Sequence, residues 1–228
     1  VENWLSKKGK HYIATPNPEM LVDANSDPEF LRVLNAADLS IPDSIRLGWG
    51  SYIKEETSPF LRLIYSFGFF APHILPRFDY PVTSGVDLME SLLSLSSDRG
   101  FTTAYLGGSK KVADKLSKCL RQKYPKLKIA FCSGGMPVNS DGDMQFDTEG
   151  NKMTGSKDIN SLNYHLLSKE VDILFVAFGH KKQEKWMMRN LPNLNARVMV
   201  GVGGAFDYLS GEVPRAPQAF RSLGFEWL

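Results

Sequence analysis

Cysteine is scarce: Cys119 and Cys132 are the only two in 228 residues. That excludes a disulfide framework and a cysteine-rich zinc site, and it fits a reduced, cytosolic protein, with one disulfide left open. Excess charge of one sign is missing too, since 27 Lys and Arg against 25 Asp and Glu leave +2. Such a chain is not a general polyanion binder, and no nucleic-acid partner is expected. No span approaches the roughly 20 apolar residues that cross a bilayer as a helix. The most apolar stretch, LIYSFGFFAPHIL (residues 63–75), lacks Asp, Glu, Lys and Arg but is interrupted by Gly68 and Pro72. It reads either as a buried core segment or as a contact with a membrane surface. No signal peptide opens the chain, because Lys7, Lys8 and Lys10 follow Trp4-Leu5 without an apolar run.

Repeats and low-complexity segments are absent as well. What is present is a composition of 43% hydrophobic and 23% charged residues, which can bury a sizeable core. Short apolar runs alternate with helical patterns. HYIAT (11–15), DLSI (38–41), TTAYL (102–106), LKIAF (127–131), DILFVAF (172–178) and RVMVGVG (197–203) read as strands. Asn17-Pro18-Glu19 and Asp27-Pro28-Glu29 are helix starts, with a capping side chain and Pro at the first helical position. Helices are predicted over DLMESLLSLSS (87–97), KKVADKLSKCLRQKY (110–124), KDINSLNYHLLSK (157–169) and KKQEKWMMRNL (181–191). Strands alternating with helices of 10–15 residues predict an α/β, Rossmann-like fold: a mainly parallel sheet with helices on both faces. Residues 1–228 are read as one domain with irregular insertions at about 54–81 and 133–156, the second a polar hairpin or loop rich in Gly and Asp.

In such sheets ligands sit beyond the carboxyl ends of the strands. That places Thr15, Asp43, Gly107, Gly179 and Gly203 on one rim. GVGGAFD (201–207) follows a strand as a phosphate-binding turn should, yet a dinucleotide fingerprint needs Gly where Phe206 stands. No Gly-Lys-Ser/Thr triplet exists for a Walker A loop, and no GxSxG elbow occurs. Asp141-Gly142-Asp143 has the DxD spacing that can chelate a hard cation, but it lies where turn chemistry alone favours Asp and Gly. His11, His73, His165 and His180 show no zinc-binding spacing. Asp43 follows a strand and Pro42, and reads as a helix N-cap or as a catalytic carboxylate. Thr15 and Asn17 carry the same ambiguity. Lys181 and Lys182 open a helix where the dipole disfavours cations, which suggests either a site that wants positive charge or a solvated face.

Taken together, YLGGSKKVADKL, DILFVAFGHKKQEKW and VGVGGAFDYLSGEVPRAPQAFRSLGFEWL resemble the WecG/TagA/CpsF glycosyltransferases, glycosyltransferase family 26. ATPNPEML, ADLSIPDSI and SGVDLM resemble earlier motifs of that family in the same order. The resemblance implies a bacterial inverting transferase, metal- and cofactor-independent. It would move an N-acetylmannosamine-type sugar from UDP to a polyprenyl-diphosphate-linked sugar in cell-wall or surface polysaccharide synthesis. It also implies a peripheral protein at the inner face of the cytoplasmic membrane, and it leaves homo-oligomerisation open. Under the same resemblance Asp43 is the catalytic base. Thr15, Asn17, Gly85, Asp87, Gln183, Gly203, Gly204 and Asp207 bind substrate. With no metal, Gly107, Gly108, Lys182 and Arg215 would add donors at the rim for the leaving diphosphate.

The chain departs from the family pattern at three places. Ser44 and Arg46 stand where glycines are usual, Lys181 replaces the Pro of a Pro-Lys-Gln-Glu motif, and no Arg stands beside Gly85 in sequence. Relatives continue past EWL into an Arg-bearing membrane tail, which this sequence, ending at Leu228, is expected to lack. A non-catalytic nucleotide-sugar binder and a transferase of another UDP-hexose, such as UDP-glucose, are the alternatives.

Overall fold

The computed structural model describes residues 1–44, 47, 57–67, 83–134, 138–143 and 169–217. Its strands are β1 (His11–Ala14), β2 (Leu39–Ser40), β3 (Thr102–Gly107), β4 (Lys128–Ser133), β5 (Val171–Ala177) and β6 (Ala196–Gly201). They form one sheet in the order β2-β1-β6-β5-β3-β4, and every pairing is parallel. The helices are α1 (Glu2–Leu5), α2 (Pro18–Ser26), α3 (Pro28–Asn35), α4 (Pro59–Phe67), α5 (Gly85–Arg99), α6 (Lys110–Lys123), α7 (Lys182–Asn190) and α8 (Ala205–Leu209).

Local chemistry explains the helix starts. The Asn17 side chain accepts from the Met20 N–H at 2.9 Å, and Asp27 accepts from Phe30 N–H at 3.0 Å, each ahead of a proline at the first helical position. Ser84 and Ser109 cap α5 and α6 in the same way. Each such cap contributes about 1 kcal/mol. Helix α5 stops at Gly100, whose φ of 75° is the left-handed C-terminal geometry that glycine adopts without a Cβ penalty.

Alternation along each strand sends side chains to two cores. On one face Ile13, Tyr105, Phe175, Val198 and Val200 pack with α1, α5, α6 and α8. On the other, Tyr12, Ala14, Leu106, Val176 and Met199 pack with α2, α3 and α7. Sequence and structure therefore agree on helices over both faces of a parallel sheet. Strand β2 shrinks to two exposed residues because it lies at the edge and pairs only with β1. Within the stretch read as irregular, Pro59–Phe67 forms α4, since Ser58-Pro59 is a start signal and no Gly or Pro follows before Gly68.

The rest of the apolar stretch (68–75), most of the polar insertion (144–156), the helix predicted over 157–169 up to residue 168, and residues 218–228 lie outside the described residues. No described helix is long and apolar enough to cross a membrane.

Topology opens a crevice. Chain leaving β1 and β5 passes to the face of α2, α3 and α7, whereas chain leaving β6 passes to the face of α8. Strand β6 lies between β1 and β5, so the backbone diverges on both sides of it, and a cleft forms beyond its carboxyl end.

Candidate active site

A cavity of about 350 Å³ occupies that cleft. Its walls come from four strand ends and one helix start: Thr15 and Asn17 after β1, Asp43 after β2, Gly179, His180 and Gln183 after β5, Gly203, Gly204 and Tyr208 after β6, and Ser84-Gly85 opening α5. Seven of the sequence-predicted residues thus meet here, from Thr15 to Gly204. Asp43, His180 and Tyr208 are the ionisable side chains of the lining, and among the described residues no Lys or Arg reaches it.

Several lining residues carry structure as well. The Thr15 hydroxyl donates to the Gly201 carbonyl at 2.9 Å and is buried, tying β1 to β6. Asn17 is the N-cap of α2. The Asp43 carboxylate accepts from the N-terminus of α5, taking the Gly85 N–H at 2.8 Å. Asp43 is thereby fixed at the cavity wall with its charge beside the positive end of that helix.

Gln183 bridges two turns. Its Nε2 donates to Glu184 Oε1 at 2.7 Å, and its Oε1 accepts from the Gly203 N–H at 3.1 Å. A carboxylate needs a donor and an N–H needs an acceptor, so this amide orientation is unambiguous. Glu184 is fully buried, and burial pushes its carboxyl up to about 7 against the opposing effects of the Gln183 amide, the backbone and His180. His180 is held by Asp23, with Nε2 2.8 Å from Oδ2. Carboxylates only accept, so Nε2 carries the proton in this contact.

The turn that presents these groups is strained. Lys181 is the only described non-glycine residue with positive φ, at 67° with ψ of −43°, and Lys182 N–H donates back to the His180 carbonyl at 2.7 Å. This is the three-residue γ-turn, a rare conformation for a residue with a Cβ. The Lys181 ammonium stands 2.8 Å from Asp27 Oδ2, so the positive charge predicted here is spent on pinning the turn to the start of α3. That ammonium and the Phe30 N–H hold the Asp27 carboxyl well below its usual range.

The remaining predicted residues lie outside the lining. Gly107 is needed for packing: with φ of 122°, a Cβ there would stand 2.3 Å from the Ala177 carbonyl oxygen. The Gly108 N–H donates to that same oxygen at 3.0 Å. Arg215 makes a two-pronged pair with Asp87, at 2.7 and 2.8 Å, and also donates to Ser84 Oγ at 3.0 Å. Gly85 therefore does have an arginine nearby, supplied through space from 130 residues away in sequence. Asp207 follows Gly204 in α8, and Lys182 lies on the first turn of α7. The DxD turn docks on α7 instead of facing the cleft. Asp143 pairs with Arg189 at 2.8 Å and Asp141 with Lys185 at 3.6 Å. A Cβ at Gly142 would meet the Trp186 nitrogen at 2.8 Å. Among the described residues no group of three His, Cys, Asp or Glu side chains could hold a metal.

Ser84, His180, Glu184 and Tyr208 were missed by sequence reasoning. For Ser84 the signal was available, since a Ser before a helical Gly-x-Asp is a cap placed at the rim. His180 adjoins Gly179 at a strand end, but its partner Asp23 is 157 residues away and nothing local announces the pair.

The arrangement is that of a Rossmann-like α/β protein whose ligand crevice lies at the strand carboxyl ends, with a carboxylate fixed beside glycine turns. The sequence matches the Glycosyl transferase WecG/TagA/CpsF family over residues 1–68 and 73–228, and the chain belongs to that family. A curated relative, the N-acetylglucosaminyldiphosphoundecaprenol N-acetyl-beta-D-mannosaminyltransferase of Staphylococcus aureus strain MRSA252, is 25% identical over 218 residues, covering 95% of this chain and 70% of the relative. Proteins of the same name from strains NCTC 8325 / PS 47 and COL give the same figures.

Proposed function

We propose that this glycosyltransferase moves an N-acetylmannosamine-type sugar from UDP to a polyprenyl-diphosphate-linked sugar, with inversion and without a bound metal. The observation that carries the reading is the meeting of Asp43, Thr15, Asn17, Gln183 and the Gly203-Gly204 turn on one cavity. The relatives' name, a mannosaminyl transfer to a diphosphoundecaprenol-linked sugar, supports the donor sugar and the acceptor. Because that acceptor class is lipid-linked, we place the reaction at the inner face of the cytoplasmic membrane.

An inverting displacement needs a base on the face opposite the leaving group. Asp43 takes the proton of the acceptor hydroxyl as that oxygen bonds to the anomeric carbon, and the carbon–oxygen bond to UDP breaks. Backbone N–H groups of the glycine turns and the Tyr208 hydroxyl meet the departing diphosphate, and Lys182, on the first turn of α7, adds positive charge nearby. Arg215 acts at one remove, bracing Asp87 and Ser84 at the start of α5.

A thermal-shift and turnover panel tests this. One UDP-sugar is expected to raise the melting temperature and be turned over, with NAD inert. Selective binding of UDP-glucose would move the donor assignment to another hexose, and stabilisation by NAD alone would overturn the reading. Metal independence has its own test. Changing Asp141 and Asp143 together to Ala is expected to cost at most about 1 kcal/mol of stability, because both carboxylates are exposed and the buried Lys185 ammonium keeps Glu29 and Asp27 as partners. Transfer should persist in chelator; activity lost in that variant and restored by excess Mn²⁺ would refute metal independence.

A further inference from the structure

We propose that Glu184 is a positioning residue whose proton decides whether the Gly203 N–H is held by Gln183 or released to an anionic ligand in the cavity. The inference rests on the sugar-nucleotide reading of that cavity and deepens it.

Three observations place Glu184 in this role. Its carboxyl is wholly buried beneath β6, where glycine at 201 makes the room: a Cβ there would lie 3.0 Å from Gln183 Nε2 and 3.2 Å from Glu184 Oε1. One oxygen takes the Gln183 amide, while Oε2 has no hydrogen-bond partner among the described residues. The same amide then occupies the Gly203 N–H, a backbone donor on the cavity wall.

With Glu184 ionised, the bond from Gln183 is charge-assisted, and turning the amide would set its oxygen against a carboxylate. The Gly203 N–H is then committed to Gln183. With Glu184 protonated, that bond becomes a neutral one of about half the strength. The amide can turn, and the N–H is available to a phosphate oxygen. An anion entering the cavity also disfavours a second negative charge nearby, so binding draws a proton onto Glu184. Burial already brings this carboxyl to about 7, so the exchange falls in the working pH range.

Other ionisable groups around Glu184 are accounted for. Tyr12 faces it from β1, and burial pushes that phenol upward, so it stays neutral. His180 lies on the same turn with Asp23 of α2 behind it. Lys181 is paired with Asp27, and the Lys185 ammonium with Glu29, Asp27 and Asp141. Strand β6 contributes only Gly201. His180 is the ionisable neighbour on the same turn and shares the cavity lining with Asp43 and Tyr208, so a His180→Asn control separates its contribution.

The sign follows from linkage. Binding that takes up a proton is strongest at low pH and weakens as pH rises through about 7. UDP-N-acetylmannosamine serves as probe, because its diphosphate is a diester and does not itself titrate there. In the ligand-free protein the Gly203 amide resonance should titrate with a midpoint near 7, remain titrating in His180→Asn, and become flat in Glu184→Gln. UDP-N-acetylmannosamine affinity should fall roughly tenfold from pH 6.5 to 8.5 in the wild type, with proton uptake seen by calorimetry in two buffers, and Glu184→Gln should abolish both. Gln183→Ala should leave the Gly203 amide without its pH response. A flat Gly203 amide in the wild type, or the same titration and uptake in Glu184→Gln, overturns the proposal. If the amide titrates as described but no UDP-sugar binds, the coupling stands and the sugar-nucleotide reading fails.

Discussion

Asp43→Asn is expected to fold normally, keep UDP binding, and lose transfer by about 10²–10⁴-fold, the range for removal of a general base. The structure makes this substitution a clean one. Asp43 Oδ1 accepts from the Gly85 N–H at 2.8 Å, and an asparagine oxygen can accept the same bond. The contact to α5 therefore survives while the basic carboxylate is lost. Asp43→Ala removes both, and should add a stability loss of about 1 kcal/mol, the usual cost of an N-terminal acceptor. Turnover and melting temperature measured on the two variants separate the roles. If Asp43 serves only to hold the start of α5, Asp43→Asn keeps near-normal turnover and Asp43→Ala loses stability alone.

The fold was legible where chemistry is local. Asn17-Pro18, Asp27-Pro28 and Ser109 announced helix starts because a capping oxygen and the N–H that donates to it lie three residues apart. The strands were legible because a central strand buried on both sides, such as Val171–Ala177, needs a continuous apolar run. The glycine turns marked strand carboxyl ends, and so most of the cleft.

What sequence could not reveal was pairing at a distance. No arginine stands beside Gly85 in the sequence, yet Arg215 reaches Asp87 across 128 residues. Lys182 and the pair Gly107-Gly108 were placed on the rim correctly as backbone but not on the cavity wall, since Gly107 is consumed by close approach to Ala177. Asp141-Gly142-Asp143 has a metal-binding spacing and a docking function. Only the position of Arg189 and Lys185 on α7 tells them apart. Glu184 was hidden for a related reason. A Glu in the first turn of a helix reads as a solvated residue favoured by the dipole, and nothing in KKQEKW says that this turn is packed under β6.

Lys181→Pro, which would restore the residue usual in the family, is expected to destabilise this protein by roughly 2–3 kcal/mol, the cost scale of breaking a special backbone geometry. Proline fixes φ near −65°, whereas Lys181 sits at +67° in a γ-turn closed by Lys182 N–H and the His180 carbonyl. His180 would also be driven toward extended backbone as the residue before a proline, pulling its ring away from Asp23. The ion pair from Lys181 to Asp27 goes with the side chain, and a pair with both partners about a quarter exposed adds little to the loss. For a chain of this size the loss corresponds to a fall of roughly 5–10 °C in Tm. UDP-sugar affinity should drop with it, because Gln183 and His180 are aimed at the cavity by this turn. Lys181→Gly is the control. Glycine tolerates positive φ, so it relieves about 1 kcal/mol of strain while losing the ion pair and gaining unfolded-state freedom, and its Tm should lie close to the wild type. A Lys181→Pro protein as stable as the wild type would show that the γ-turn is not what sets this end of the site.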